Sequence, residues 1–195
     1  MAACAWLLTA LQYVFDMQNC SSVLSQECQS AYDEDSAYKC MMAPHAAGFV
    51  KTPWFALQSR FDKWSLGNEV PPLPYSLLLL LFFVSQLFIK CMNDQPYSPP
   101  YKPSDCKQNE LDAITSWGPA FMKQLRPYMD DKSPNGGFID ACIIHGSTNS
   151  SIDGQSNYQA FEQWLAGGRK WWLMMCNGSS DAGPCDPSPI CAPFP

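Results

Sequence analysis

The chain has 195 residues, of which 47 % are hydrophobic and 15 % are charged, and its formal net charge is −6. So much apolar surface excludes a disordered chain. The negative net charge argues against a nucleic-acid-binding protein, which needs a basic face to neutralise phosphates. The length allows one domain with a hydrophobic core, or part of a larger domain.

One helix and one strand are predicted in the N-terminal part of the chain. Residues 5–15 carry apolar side chains at helical spacing, which predicts a short amphipathic helix. A stretch with several cysteines follows, from Asn19 to Cys40. The apolar run Trp54–Leu57 is typical of a buried strand, and residues 59–64 follow its end. In open α/β sheets, chemically active groups lie where strands give way to loops at their carboxyl ends.

The strongest helix prediction covers residues 107–129. Apolar residues at three- and four-residue spacing form one stripe there: Leu111, Ile114, Trp117, Phe121, Leu125 and Tyr128. A turn at residues 134–137 precedes a second predicted buried strand, Phe138–Ile144, which leads directly into His145.

A last helix is predicted from its capping signals. The sequence Ser156–Gln159 matches a capping box, and the helix is expected to run through Leu165 and to end at Gly167 and Gly168. The alternation of helices and strands along the chain favours an α/β fold over an all-β fold.

Ten cysteines are scattered along the chain: Cys4, Cys20, Cys28, Cys40, Cys91, Cys106, Cys142, Cys176, Cys185 and Cys191. No two have the C-x-x-C spacing of a metal site and only two histidines could assist, so we expect neither a metal nor a cofactor. Scattered cysteines in a chain rich in tryptophan and proline favour disulfides, and therefore folding in the secretory pathway. Three N-glycosylation sequons agree with this, at Asn19, Asn149 and Asn177.

The N-terminal segment lacks one part of a secretion signal. No lysine or arginine precedes Leu7, so the basic region that opens a signal peptide is absent. We favour the interpretation that the true N-terminus is missing, and the alternative is an unusual, weak signal within residues 2–10.

Residues 71–100 contain the most apolar run of the chain. The stretch from Leu77 to Ile89 is shorter than the roughly 18 residues that a membrane helix needs, so a membrane span is disfavoured. A buried core helix is one alternative. A retained intron is another, because every residue from Leu77 to Phe83 can be encoded by pyrimidines alone.

Three segments together resemble one family. They are Cys40–His45, Lys51–Trp64 and Gly137–His145, and in this order they are similar to the C-terminal half of the pectin acetylesterases and the related Notum carboxylesterases. Asp105–Cys106 and the closing Asp186–Cys191 extend the similarity, whereas residues 71–100 do not match well. The resemblance implies that residues 1–195 are the C-terminal part of one disulfide-stapled α/β-hydrolase domain, with residues 71–100 as a non-matching insert.

The resemblance also implies an activity: a carboxylic ester hydrolase with a Ser-Asp-His triad that removes O-acetyl groups from a pectin-like polysaccharide. Asp62 falls at the acid position of this triad and His145 at the base position. An aspartate at the end of one strand can hold one ring nitrogen of a histidine that follows a neighbouring strand, and so stabilise the imidazolium. Without the resemblance, a capping role for Asp62 and an ordinary surface position for His145 would be preferred.

Three further residues receive other interpretations. His45 lies outside the matched base position and is interpreted as a structural or surface residue. Trp64 could contact substrate, although packing over the first turn of the following helix is preferred. Asp140 lies in a buried strand and is predicted to bond a neighbouring backbone group.

No serine of the chain lies in the G-x-S-x-G motif that carries the nucleophile of α/β-hydrolases. The nearest, Ser156, lacks the second glycine and follows His145 in the chain, which is the wrong order. We therefore expect a C-terminal fragment of a secreted or cell-wall esterase, inactive and poorly soluble by itself. The alternatives are a non-catalytic, secreted, disulfide-rich binding module and a relative of the Notum-like protein deacylases.

Overall fold

A computed structural model describes residues 2–68, 106–130, 132–145 and 150–175. The chain divides into two compact units, Met1–Pro53 and Trp54–Pro195. Residues 71–100, and with them the insert, membrane and intron interpretations, lie outside the described residues, as do the sequons at Asn149 and Asn177. Among the helices described, none is long and apolar enough to cross a membrane.

The first unit is helical. Its α-helices are α1 (Ala2–Met17), α2 (Gln26–Gln29) and α3 (Ala43–Ala46), and its 3-10 segments are Cys20–Ser22, Glu34–Met41 and Ala47–Phe49. α1 contains the helix predicted for residues 5–15. A disulfide between Cys28 and Cys40, both buried, joins α2 to the second 3-10 segment. A crosslink closing a loop of this size stabilises a fold by about 3 kcal/mol in the chain-entropy model.

His45 packs inside this first unit. Its Nδ1 atom lies 2.8 Å from the hydroxyl of Tyr32, and the two rings meet edge to face with centroids 5.5 Å apart. Burial, and next the positive charge of Lys39, lower the pKa of His45 below its ordinary value of 6.5. The neutral form of the side chain is therefore favoured, and these contacts agree with the prediction that His45 is a structural or surface residue.

The second unit is built on parallel strands. In chain order it contains β1 (Phe55–Ser59), α4 (Lys63–Asn68), α5 (Gln108–Leu125), a 3-10 turn (Arg126–Tyr128), β2 (Gly136–Asp140), β3 (Ser151–Ile152), β4 (Gln155–Ser156), α6 (Asn157–Leu165) and β5 (Trp171–Leu173). β1, β2 and β5 form a parallel sheet with β2 in the centre, and β3 and β4 form a small antiparallel hairpin. Parallel strands joined through helices confirm the α/β class, and the complete α/β-hydrolase fold stays a prediction.

The strand β2 differs from its prediction. It begins at Gly136 and ends at Asp140, so residues 141–144, which were predicted as strand, lie beyond the sheet. The two glycines at its start were missed because glycine disfavours strands in general. They are required here by close packing: a Cβ atom would lie 2.7 Å from the Trp164 ring at Gly136 and 2.6 Å from the Trp171 ring at Gly137.

The helix α5 is shorter than the predicted 107–129, and its fully buried positions coincide only in part with the predicted stripe. Four residues spaced four apart are buried: Glu110, Ile114, Gly118 and Met122. Of the predicted apolar stripe, Ile114 is fully buried and the other five residues are half-buried. The difference arises at Gly118, where a Cβ atom would lie 2.5 Å from Cζ of Phe61, so the missing side chain lets this phenylalanine pack against the helix.

The core of the second unit surrounds β2. Its buried members include Phe61, Leu66, Ile114, Phe138, Cys142, Ile152, Trp172 and Met174. α6 begins with the predicted capping box, in which the Ser156 hydroxyl accepts from the backbone N–H of Gln159 and the Gln159 side chain accepts from the backbone N–H of Ser156. After its last helical residue, Gly167 adopts the left-handed conformation with φ of 77°, as its position after the helix predicts.

Candidate active site

Two loops leave the same edge of the sheet. Because β1 and β2 are parallel and Ser59 pairs with Asp140, the chain continues from both strands side by side. We name residues 60–62 the acid loop and residues 141–145 the base loop. Backbone hydrogen bonds connect the two chains past the strand ends, from Arg60 N to the Asp140 carbonyl at 2.9 Å and from Lys63 N to the Ile144 carbonyl at 3.1 Å.

Asp62 lies directly before α4 and caps its N-terminus. Its Oδ1 atom accepts from the backbone N–H of Ser65 at 2.7 Å, and its carbonyl accepts from the backbone N–H of Leu66 at 2.9 Å. Its side chain is only 7 % exposed. The aspartate is therefore an N-cap, which orients the carboxylate and leaves Oδ2 for another partner.

That partner is His145. Its Nδ1 atom lies 2.9 Å from Asp62 Oδ2, and the imidazole side chain is 61 % exposed. When Nδ1 donates its proton to the carboxylate, Nε2 is left as the proton-accepting nitrogen. The structure thus brings together the two residues that the sequence predicts as acid and base, with the carboxylate buried and the imidazole accessible.

Trp64 lies next to this pair. Its ring centroid is 6.2 Å from that of His145, the two planes are inclined by 33°, and the residue is 40 % exposed. Trp64 belongs to the first turn of α4, where packing over that turn was preferred. The contact with the imidazole places a partly exposed indole beside His145.

Ser59 and Arg60 also belong to this edge, and the sequence did not reveal them. The Ser59 hydroxyl donates to the Cys142 carbonyl and accepts from the backbone N–H of Phe61 at 3.1 Å, so it joins the acid loop to the base loop. Arg60, 1 % exposed, donates from Nη2 to the Met174 carbonyl beyond β5 at 3.0 Å. The acid loop is therefore tied to the chain that follows both other strands of the sheet.

Metal ligation finds no support in the residues described: no cluster of three or more His, Cys, Asp or Glu side chains that could hold a metal occurs among them. Cys106 and Cys142 are disulfide-bonded, in line with the predicted stapling, and Cys142 lies in the base loop.

Comparison with known families agrees with the similarity seen in the sequence. The family whose description is Pectinacetylesterase matches residues 5–177, a range that contains Asp62, His145 and all five strands described. Searches of curated proteins and of solved structures found no match. With most of its length matched, the chain belongs to the pectinacetylesterase family.

Proposed function

We propose that Asp62 and His145 are the acid and base of a Ser-Asp-His carboxylesterase that removes O-acetyl groups from a polysaccharide. Membership of the family supports ester hydrolysis and an acetylated polysaccharide as substrate. The observation that carries the assignment is the 2.9 Å contact between His145 Nδ1 and Asp62 Oδ2, with a buried carboxylate and an exposed imidazole.

The chemistry follows from this arrangement. His145 Nε2 removes the proton of a serine hydroxyl while the serine oxygen bonds to the acetyl carbonyl carbon. The imidazolium then gives this proton to the sugar oxygen as the ester C–O bond breaks. In the second half-reaction His145 takes a proton from water, which attacks the acetyl-enzyme, and returns it to the serine. Asp62 stabilises the imidazolium in both halves.

The proposal assigns only two of the three triad roles. No serine of the sequence lies in a G-x-S-x-G motif, so the nucleophile is left unassigned here.

Secretion is part of the same proposal. The Cys28–Cys40 disulfide and the disulfide-bonded Cys106 and Cys142 support folding in an oxidising compartment. Asn19, which begins a sequon, is exposed in the first unit. Members of the family are extracellular, which supports the same location.

Trp64 supports a sugar-bearing substrate. Aromatic side chains line ligand sites because their flat apolar faces pack against apolar ligand surfaces, and a sugar ring presents such a surface through its C–H groups. The indole is 40 % exposed and contacts the His145 ring, so a sugar packed on it would hold its acetyl ester near the base.

Hydrolysis of two substrates by the full-length gene product tests the proposal: an acetylated pectin oligosaccharide and p-nitrophenyl acetate. We expect Trp64→Ala to raise KM for the oligosaccharide about tenfold, which corresponds to about 1.4 kcal/mol of lost binding, and to leave KM for p-nitrophenyl acetate nearly unchanged. The matched variant Trp64→Phe keeps a flat ring and should retain most of the oligosaccharide affinity.

Each substrate can contradict a different part of the proposal. Equal effects of Trp64→Ala on both substrates would count against sugar packing on this residue. Absence of hydrolysis of either ester by the full-length gene product would contradict the esterase function itself.

A further inference from the structure

A second carboxylate lies where β2 ends, close to the base loop in sequence. We propose that Asp140 and Ser150 are positioning residues that hold the His145 imidazole in place for its hydrogen bond with Asp62. Their effect on catalysis rests on the proposed function, whereas their effect on the orientation of the imidazole does not.

Asp140 contacts the chain on both sides of His145. Its Oδ1 atom accepts from the backbone N–H of Cys142 at 3.1 Å, and its Oδ2 atom accepts from the hydroxyl of Ser150 at 2.8 Å. The aspartate is fully buried at 0 % exposure and the serine is 5 % exposed. One buried carboxylate thus binds a residue that precedes the histidine and a residue that follows it. The contact with the Cys142 backbone agrees with the prediction for Asp140, and the contact with Ser150 was not predicted.

Breaking these hydrogen bonds is costly because both side chains are buried. A buried polar group that loses its partner costs about 1–3 kcal/mol, and more when the group is charged. Hydrogen bonds to a charged acceptor are also roughly twice as strong as those between neutral groups. Moving Ser150 away from Asp140 is therefore unfavourable, and Ser150 is held to the end of the central strand.

The imidazole itself needs this support. Its side chain is 61 % exposed, so packing restrains it less than a core side chain, and its position depends on the backbone that carries it. Before His145, that backbone is held at Cys142 by Asp140, by the Ser59 hydroxyl and by a disulfide. Five residues after His145, the Ser150 hydroxyl donates to the same carboxylate. A displacement of about 1 Å at a catalytic group can reduce the rate about 100-fold.

Nitrogen NMR of histidine-labelled protein tests the inference without requiring activity. The chain has only two histidines, so the two imidazoles can be resolved and assigned by substitution. In the neutral form of the wild-type His145 imidazole we expect the proton on Nδ1, the nitrogen that faces Asp62. In Ser150→Ala we expect a mixture of both tautomers, because the imidazole no longer stays in line with Asp62.

The same variant has an expected kinetic effect. In the full-length gene product, Ser150→Ala should lower kcat about 100-fold while KM stays nearly unchanged, because the imidazole is misplaced but substrate contacts remain. Ser150→Thr restores the hydroxyl and should restore both the tautomer and kcat. If Ser150→Ala does not fold, Asp140→Asn replaces it. The neutral amide weakens the contact with Ser150, so a smaller shift in the same direction is expected.

A serine at the opposite end of β2 provides the matched control. The Ser133 hydroxyl accepts from the backbone N–H of Asn135 at 3.2 Å, so Ser133→Ala also removes one side-chain hydrogen bond. We expect this variant to leave the tautomer of His145 and kcat unchanged. The inference is overturned if Ser150→Ala lowers only the melting temperature and keeps the tautomer and kcat of the wild type. If the gene product hydrolyses no ester, the proposed function fails while the NMR result still decides the positioning role.

Discussion

Asp62→Asn is expected to lower kcat for acetyl ester hydrolysis by the full-length gene product about 10⁴-fold, the loss seen when a triad aspartate is replaced by its amide. The amide N–H₂ would face Nδ1 of His145 and donate to it. The imidazole would then carry its proton on Nε2, where it cannot accept the proton of a hydroxyl. Asparagine is as good an N-cap as aspartate, so residue 62 should still cap α4 and the melting temperature should change little.

A second aspartate controls for the loss of one negative charge. Asp153 pairs with Arg169 at 2.7 Å, and both side chains are well exposed, at 62 % and 47 %. Asp153→Asn should leave kcat unchanged, since exposed ion pairs contribute little. The acid role of Asp62 would be wrong if Asp62→Asn retained more than about a tenth of the wild-type kcat. A triad without its acid keeps far less activity than that.

Phe61→Ala is expected to lower the free energy of unfolding by about 3–5 kcal/mol, the usual cost of truncating a fully buried phenylalanine. The ring is 0 % exposed, belongs to the core around β2 and fills the space that Gly118 leaves on α5. Its backbone lies between Arg60 and Asp62, so the core that stabilises the unit also fixes the acid loop. Urea denaturation at neutral pH measures the change. The comparison requires that the slope of the unfolding free energy against urea concentration is the same for both proteins.

Phe161 provides a matched control on α6. It is 42 % exposed, and its ring centroid lies 5.4 Å from that of Phe55 and 5.6 Å from that of Trp164. Phe161→Ala should cost about 1–2 kcal/mol, as expected of two partly exposed aromatic pairs. Equal losses for the two phenylalanines would contradict the placement of Phe61 in the core.

The elements predicted well are those with local signals. The capping box at Ser156 and the left-handed Gly167 mark the two ends of α6, and hydrophobic spacing located α5 within a few residues. The start of β2 was missed because Gly136 and Gly137 carry no apolar side chains. Their place in the sheet depends on the rings of Trp164 and Trp171, which pack against them from later positions in the chain. Local patterns contain no information on such packing.

In the candidate site, too, some residues were predicted from local sequence signals and others were missed. Asp62 and His145 were predicted from motifs in sequence order, and their contact follows physically from parallel strands that end at one edge of the sheet. Ser59 and Ser150 were missed because each acts through one hydroxyl on a partner far along the chain or buried at a strand end. A serine at the end of a strand is ordinary in sequence, so only the three-dimensional arrangement reveals these contacts.

The two histidines of the chain allow the most direct test of the base role. His145→Ala in the full-length gene product should lower kcat for the acetylated oligosaccharide about 10⁶-fold, as removal of a triad histidine does. His45→Ala should leave kcat unchanged, because His45 bonds Tyr32 within the first unit. If His145→Ala kept the wild-type kcat, as His45→Ala is expected to, the assignment of His145 as the base would be contradicted.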